Sequence, residues 1–152
     1  MRRSRRRLPL IVPRIVLDTN LLVSAFVAPG GVAARALLVA RARFRLCFSA
    51  AMEAELRGVL MRPKFRRYGA SAEVVAGFVG ALLVRADRVE PVERVFDCRD
   101  AKDNMVLEAA LAGGVGVIVS GDADLLVLHP WRGVAVVSAG EFVAGVGGEG
   151  FG

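Results

Sequence analysis

Short β-branched runs of strand length alternate along this chain with longer apolar stretches of helix length, and that alternation fixes the class of fold open to it. Arg14–Leu17 is such a run and leads directly into Asp18. Helical stretches follow at residues 20–27 and Val32–Arg43, divided by Pro29-Gly30-Gly31. Arg45–Phe48 reads as a second strand, and Ser49 is a good N-cap for a helix over residues 50–61, which Pro63 ends. Ser71 caps a further apolar helix that runs to about Arg85. Residues 89–95 read either as a short strand or as an extended connection around Pro91. Asp100 opens a helix through Leu111, closed by Gly113-Gly114. The continuous apolar run at 115–119 is a buried strand and 121–124 the turn after it; 134–137 is the last strand, before a short helix at 139–144. Strands that alternate with helices give a mostly parallel sheet covered on both faces. The expected fold is therefore α/β, a three-layer α/β/α sandwich of Rossmann-like plan.

A chain of 152 residues supports one domain with a sizeable core. With 55% hydrophobic and 24% charged residues, it is not a disordered chain. Its two cysteines, Cys47 and Cys98, fit neither a disulfide framework nor a zinc site, and a reducing cytoplasm is the expected home. Arg2, Arg3, Arg5, Arg6 and Arg7 precede an apolar run at 8–12, but Pro9, Pro13 and Arg14 interrupt it, so it does not read as a secretory leader. No stretch reaches the roughly 20 apolar residues that cross a bilayer, and the protein is expected to be soluble. The division expected is a basic extension at 1–13, a folded domain at 14–144 and a fraying Gly-rich tail at 145–152.

Five of the six units of the +6 formal charge sit in the leader, so the rest of the chain is near neutral. Such a leader can hold polyanions by counterion release, or be an ordinary solvated segment. A second basic group lies inside the domain: Arg57, Arg62, Lys64, Arg66 and Arg67, with Phe65 and Tyr68 interleaved. Cations that meet phosphates and rings that stack on bases suit a single-stranded nucleic acid, and an exposed helix end would have the same composition.

In parallel α/β folds ligands bind beyond the carboxyl ends of the strands, at the switch point. The acids fall there. Asp18 ends the first strand, Asp122 lies just past the run at 115–119, Asp103 stands in the first turn after Asp100, and Glu53 and Glu55 open the helix after Arg45–Phe48. Neighbouring carboxylates repel by about 1–4 kcal/mol per pair at intermediate dielectric, so they share protons or hold a cation. Mg²⁺ and Mn²⁺ favour oxygen ligands, and such an ion lowers the pKa of a bound water and neutralises charge that builds on a phosphate. No histidine nucleophile is then required, and His129, the only histidine, reads as structural or exposed.

Each acid also has a purely structural reading. Asp18 can cap the helix that follows, Asp100 and Asp103 have capping-box spacing, Asp122 and Asp124 suit a turn, and Asp124 can cap a segment at 125–128. Four acids at one expected sheet edge tip the balance toward a metal site. Helix geometry alone does not choose between Glu53 and Glu55, which flank the stripe Met52, Leu56, Val59 and Leu60.

Four motifs in order carry a resemblance. Arg14-Ile15-Val16-Leu17-Asp18-Thr19-Asn20 resembles the opening strand and acid of PIN domains, and Glu55-Leu56-Arg57-Gly58-Val59 their second acidic element. Arg99-Asp100-Ala101-Lys102-Asp103-Asn104 is similar to the third and Ser120-Gly121-Asp122-Ala123-Asp124-Leu125-Leu126 to the fourth. Leu60-Met61-Arg62-Pro63-Lys64-Phe65 and Glu141-Phe142 resemble a bacterial subgroup of VapC-like toxin components of toxin–antitoxin systems. The resemblance runs from about Arg14 to Val143 and implies a Mg²⁺- or Mn²⁺-dependent ribonuclease, a homodimer, and a separate antitoxin protein. It implies Asp18, Glu55, Asp103 and Asp122 as the catalytic acids, Asp124 as a further ligand or one that acts through water, and Asn20 and Ser120 as groups that orient carboxylates. Arg62, Lys64, Arg66 and Arg67 are the expected RNA contacts. Ser120 stands where the family more often has threonine, which keeps the hydroxyl. One rival is a PIN fold used only to bind RNA or to assemble. The other is a phosphatase of haloacid-dehalogenase type, which has an acid two residues after its first aspartate; here that residue is Asn20.

Overall fold

The computed structural model describes residues 12–147, so the arginine-rich leader and the last five residues lie outside the described residues. Five strands form one sheet: β1 (Arg14–Leu17), β2 (Arg45–Phe48), β3 (Ala86–Arg88), β4 (Val117–Val119) and β5 (Ala135–Val137). Their order is β3-β2-β1-β4-β5 and every pairing is parallel, with Ile15 opposite both Leu46 and Val117. The helices are α1 (Thr19–Val27), α2 (Val32–Arg43), α3 (Ala50–Leu60), α4 (Ala72–Val84), α5 (Asn104–Gly113), α6 (Ala123–Leu126) and α7 (Ala139–Gly147). Helices α1 to α4 pack on one another, and α5 packs on β1, β2 and β4; right-handed crossovers, the rule for parallel strands, place the two groups on opposite faces. The result is the three-layer α/β/α sandwich.

Because both faces are covered, the central strands are apolar on both sides: Ile15, Val16, Ile118 and Val119 are all fully buried. Ser49 and Ser71 cap α3 and α4, their hydroxyls accepting from the backbone N–H of Met52 at 3.2 Å and of Val74 at 3.1 Å. At the far end of α5 the chain turns through Gly114 in the left-handed region, φ 59°. The residue before it is tighter still: a Cβ on Gly113 would stand 2.8 Å from the Cys47 Sγ, which is itself buried. Gly113→Ala is therefore expected to cost about 1–3 kcal/mol through overpacking, read from a denaturant midpoint.

Several sequence expectations change. Residues 89–95 form an extended connection, with Val92 almost fully exposed, and the edge strand β3 lies just before it. Ala86-Asp87-Arg88 has no apolar alternation; it is held by pairing with β2 and by Asp87, which takes Arg14 at 2.8 Å and Arg45 at 2.9 Å. Helix α7 continues to Gly147, three residues past the expected end, with Phe142 buried against Phe44. After Asp100 a short 3-10 turn, Ala101–Asp103, precedes α5. The cap of α6 is Asp122 rather than Asp124. His129 is exposed and structural, its Nδ1 accepting from the N–H of Val136 at 2.9 Å.

Candidate active site

The strand order reverses at β1, so the crevice of this sheet lies beyond the carboxyl ends of β1 and β4. The backbone N–H of Asp18 donates to Val119 O at 2.9 Å, which extends the ladder one step and pins Asp18 beside the end of β4. Ser120, fully buried, joins the two strand ends. Its hydroxyl donates to Asp18 Oδ2 at 2.8 Å and accepts from the N–H of Asp122 at 2.9 Å. The N–H of Asn20 reaches Asp18 Oδ1 at 3.4 Å, so Asp18 also caps α1. Burial pushes the Asp18 carboxyl up, the Ser120 and Asn20 hydrogen bonds pull it back, and the charges of Asp122 and Glu55 push it up again.

Asp103 comes from the opposite face of the sheet. The 3-10 turn and Asn104 deliver it: Asn104 Oδ1 accepts from the N–H of Cys98 at 2.9 Å, and its Nδ2 donates to Ala101 O at 3.2 Å. Asp103 is 5% exposed and its Oδ2 is buried with no hydrogen-bond partner. Burial, then contact with Asp122, then the charges of Asp122, Asp18 and Asp100 raise its carboxyl to about 7. Asp122 keeps one oxygen on its own helix, accepting from the N–H of Asp124 at 2.8 Å. Two carboxyls this close share a proton or hold a cation between them.

The remaining acids are engaged differently. Glu55 accepts a hydrogen bond from the Thr19 hydroxyl, which turns it toward Asp18. Glu53 instead meets Arg57 at 3.0 Å and Arg88 at 2.6 Å, so its charge is neutralised away from the crevice. Asp124 takes Arg99 at 3.0 Å, which occupies one of its oxygens. Among the described residues no three His, Cys, Asp or Glu side chains stand in ligating arrangement around one point. The convergence is a close pair, Asp103 and Asp122, with Asp18 bridged to Asp122 through Ser120 and Glu55 beyond it.

This arrangement fits a hard divalent cation. All donors are oxygens, one of them is buried without a partner, and Mg²⁺ needs only one or two carboxylates when waters and phosphate complete its shell. Sequence reasoning missed Thr19 and Arg99, whose partners lie far along the chain, and Asn104. For Asn104 a signal existed, because asparagine disfavours helix interiors and prefers their starts. Asn104→Ala strands the buried N–H of Cys98 and is expected to lower stability by about 1–3 kcal/mol, measured by thermal unfolding.

The basic group stands apart from the acids. Arg62, Lys64, Arg66 and Arg67 are exposed on and beside a 3-10 helix, Pro63–Tyr68. Phe65, expected to stack on a base, is 9% exposed and packs into the core. Tyr68 is the ring that remains exposed, with Arg67 5.0 Å from its centroid.

A parallel α/β/α domain with acids gathered at the switch point is the class that fold and site define. The PIN domain family model matches residues 14–124, which takes in Asp18, Glu55, Asp103, Asp122 and Asp124, and the chain belongs to the PIN domain family. Membership supports the nuclease class of hydrolases. An uncharacterized protein of Methanocaldococcus jannaschii is 26% identical over 117 residues, 76% of this chain and 75% of that protein. A chain in the crystal structure of VapBC2 from Rickettsia felis, bound to a DNA fragment from their promoter, matches with a TM-score of 0.56. That match covers 82% of this chain and 98% of the other at 12% identity, and it speaks for the fold alone. Among the described residues no single helix is long and apolar enough to cross a membrane.

Proposed function

We propose that this protein is a Mg²⁺- or Mn²⁺-dependent endoribonuclease that hydrolyses RNA phosphodiester bonds, and that it is the toxin of a toxin–antitoxin pair in the cytoplasm. One observation carries the nuclease reading: the buried Oδ2 of Asp103 has no hydrogen-bond partner, and its carboxyl stands against that of Asp122 and within the field of Asp18. Asp18, Asp103 and Asp122 hold the cation in this reading. Glu55, oriented by Thr19, holds the attacking water. Asp124, paired with Arg99, acts through water. A bound cation supplies a water of lowered pKa and neutralises charge on the phosphoryl oxygens. The water gives a proton to Glu55 as its oxygen bonds to phosphorus, the bond from phosphorus to the leaving ribose oxygen breaks, and that oxygen takes a proton from solvent. Ser120 keeps Asp18 fixed throughout.

The match to a VapBC2 chain supports the toxin reading, with a separate antitoxin protein as partner; a homodimer is the assembled form that the family resemblance implies. Arg62, Lys64, Arg66 and Arg67 are the proposed contacts to RNA phosphates, with Tyr68 beside them. The arginines at positions 2–7 add to that affinity, so removing residues 1–7 is expected to flatten the salt dependence of RNA binding; an unchanged slope would exclude them. The nuclease reading is tested with labelled single-stranded RNA and the purified chain in Mn²⁺ or in EDTA. Cutting in Mn²⁺ alone supports it, and intact RNA in both, across several sequences, favours a fold that only binds.

A further inference from the structure

Beside the acids, and sharing Asp122 with them, lies a cleft of about 390 Å³. It is lined by Asn20, Leu21 and Ser24 of α1, Val32 and Ala33 of α2, Gly121 and Asp122 of the turn after β4, and Ala139 of α7. Its size falls within the range of small-ligand sites, and its make-up does too: an apolar body with a few polar groups at the rim. Leu21, 5% exposed, gives a fixed apolar surface, and Val32, 41% exposed, stands opposite on α2. Asn20 and Ser24 are one helical turn apart, so both present their side chains on one side of α1. Neither the carboxamide of Asn20 nor the hydroxyl of Ser24 bonds another described residue; Asn20 uses only its backbone N–H, on Asp18. Asp122 belongs to both the cleft and the acid pair.

The geometry points to this cleft as the pocket for one nucleobase of the RNA strand, the base next to the bond that is cut. The inference rests on the nuclease reading above. A strand whose phosphate sits at Asp122 has its neighbouring base within the same crevice, because the cleft begins at that residue. A planar, mostly apolar base with hydrogen-bonding edges matches Leu21 and Val32 along its face and Asn20 and Ser24 along its edge. An amide and a hydroxyl that must pair with the right edge groups discriminate among bases, since a wrong base leaves them unpaired. The cleft thus sets where the enzyme cuts, while the acids set whether it cuts.

Two substitutions plug the cleft without touching an acid: Ser24→Phe from an exposed position on α1, and Ala33→Leu from the opposite wall. Cleavage ends are mapped on a randomised RNA in Mn²⁺. The wild-type chain is expected to enrich one base at one position beside the cut by roughly tenfold. Both variants are expected to erase that enrichment in the cleavage that remains. An enrichment unchanged in both folded variants overturns the pocket. If the wild type cuts nothing, the nuclease reading fails separately, and the cleft is judged by binding. In that case the Asp18→Asn chain is titrated with oligo-A, oligo-C, oligo-G and oligo-U, and amide signals are followed by NMR. Shifts at Ser24, Val32 and Ala33 with one of them uphold the pocket, and their absence with all four overturns it.

Discussion

Asp18→Asn is expected to lower RNA cleavage by at least about a thousandfold, since metal-assisted chemistry supplies several kcal/mol and each ~1.4 kcal/mol is tenfold in rate. The fold should persist. Asparagine keeps the size of the side chain and keeps an oxygen for the Ser120 hydroxyl, now 2.8 Å from Asp18 Oδ2. It also removes a carboxyl that burial and the charges of Asp122 and Glu55 disfavour. The melting temperature of the variant is therefore expected to equal or exceed that of the wild type. The check is a cleavage time course beside a thermal scan on the same preparation. A variant that cuts within about tenfold of the wild type would remove Asp18 from the chemistry.

Asp103 gives the second large effect, and it concerns the metal-free protein. Its carboxyl is raised from 3.8 to about 7 in the fold, with burial the first cause and contact with Asp122 the next. Between those two values the folded chain keeps a proton that the unfolded chain has lost. The stabilisation is whole below the unfolded value and is lost as pH rises through about 7. In EDTA, then, stability is expected to fall by ~2–3 kcal/mol from about pH 5 to pH 8, in line with ~1.4 kcal/mol per pH unit for one proton. Asp103→Asn should flatten that slope and raise the melting temperature most at the alkaline end. Denaturant titrations of both proteins at the two pH values check it, and equal slopes would mean that Asp103 does not carry the proton.

Much of the fold was legible because its signals are local. The limits of β1, α2 and β2 follow from apolar period, the Pro29-Gly30-Gly31 break and the Ser49 cap. The gathering of Asp18, Asp103 and Asp122 at one edge follows from the strand–helix alternation, since each acid stands just after a strand or at a helix start. What the chain did not disclose depends on distant partners. Strand β3 has an aspartate at its centre, and only Arg14 and Arg45 from two other strands make that tolerable. Glu55 and Glu53 are near equivalents on α3; Thr19 turns one toward the crevice and Arg88 turns the other away. Phe65 sits among cations in sequence yet enters the core, because a short 3-10 helix rotates it inward. Arg99 is ordinary in sequence and becomes the counter-ion of Asp124 only when residues 25 positions apart meet.

The central claim is that Asp103, Asp122 and Asp18 hold a divalent cation, and calorimetric titration of Mn²⁺ into the full chain tests it most directly. The wild type is expected to bind and to release a proton near pH 7, because the ion displaces the one held on Asp103. Asp103→Asn is expected to bind at least about tenfold more weakly and with little proton release. A folded wild type that takes up no Mn²⁺, or a variant of equal affinity, would contradict the account.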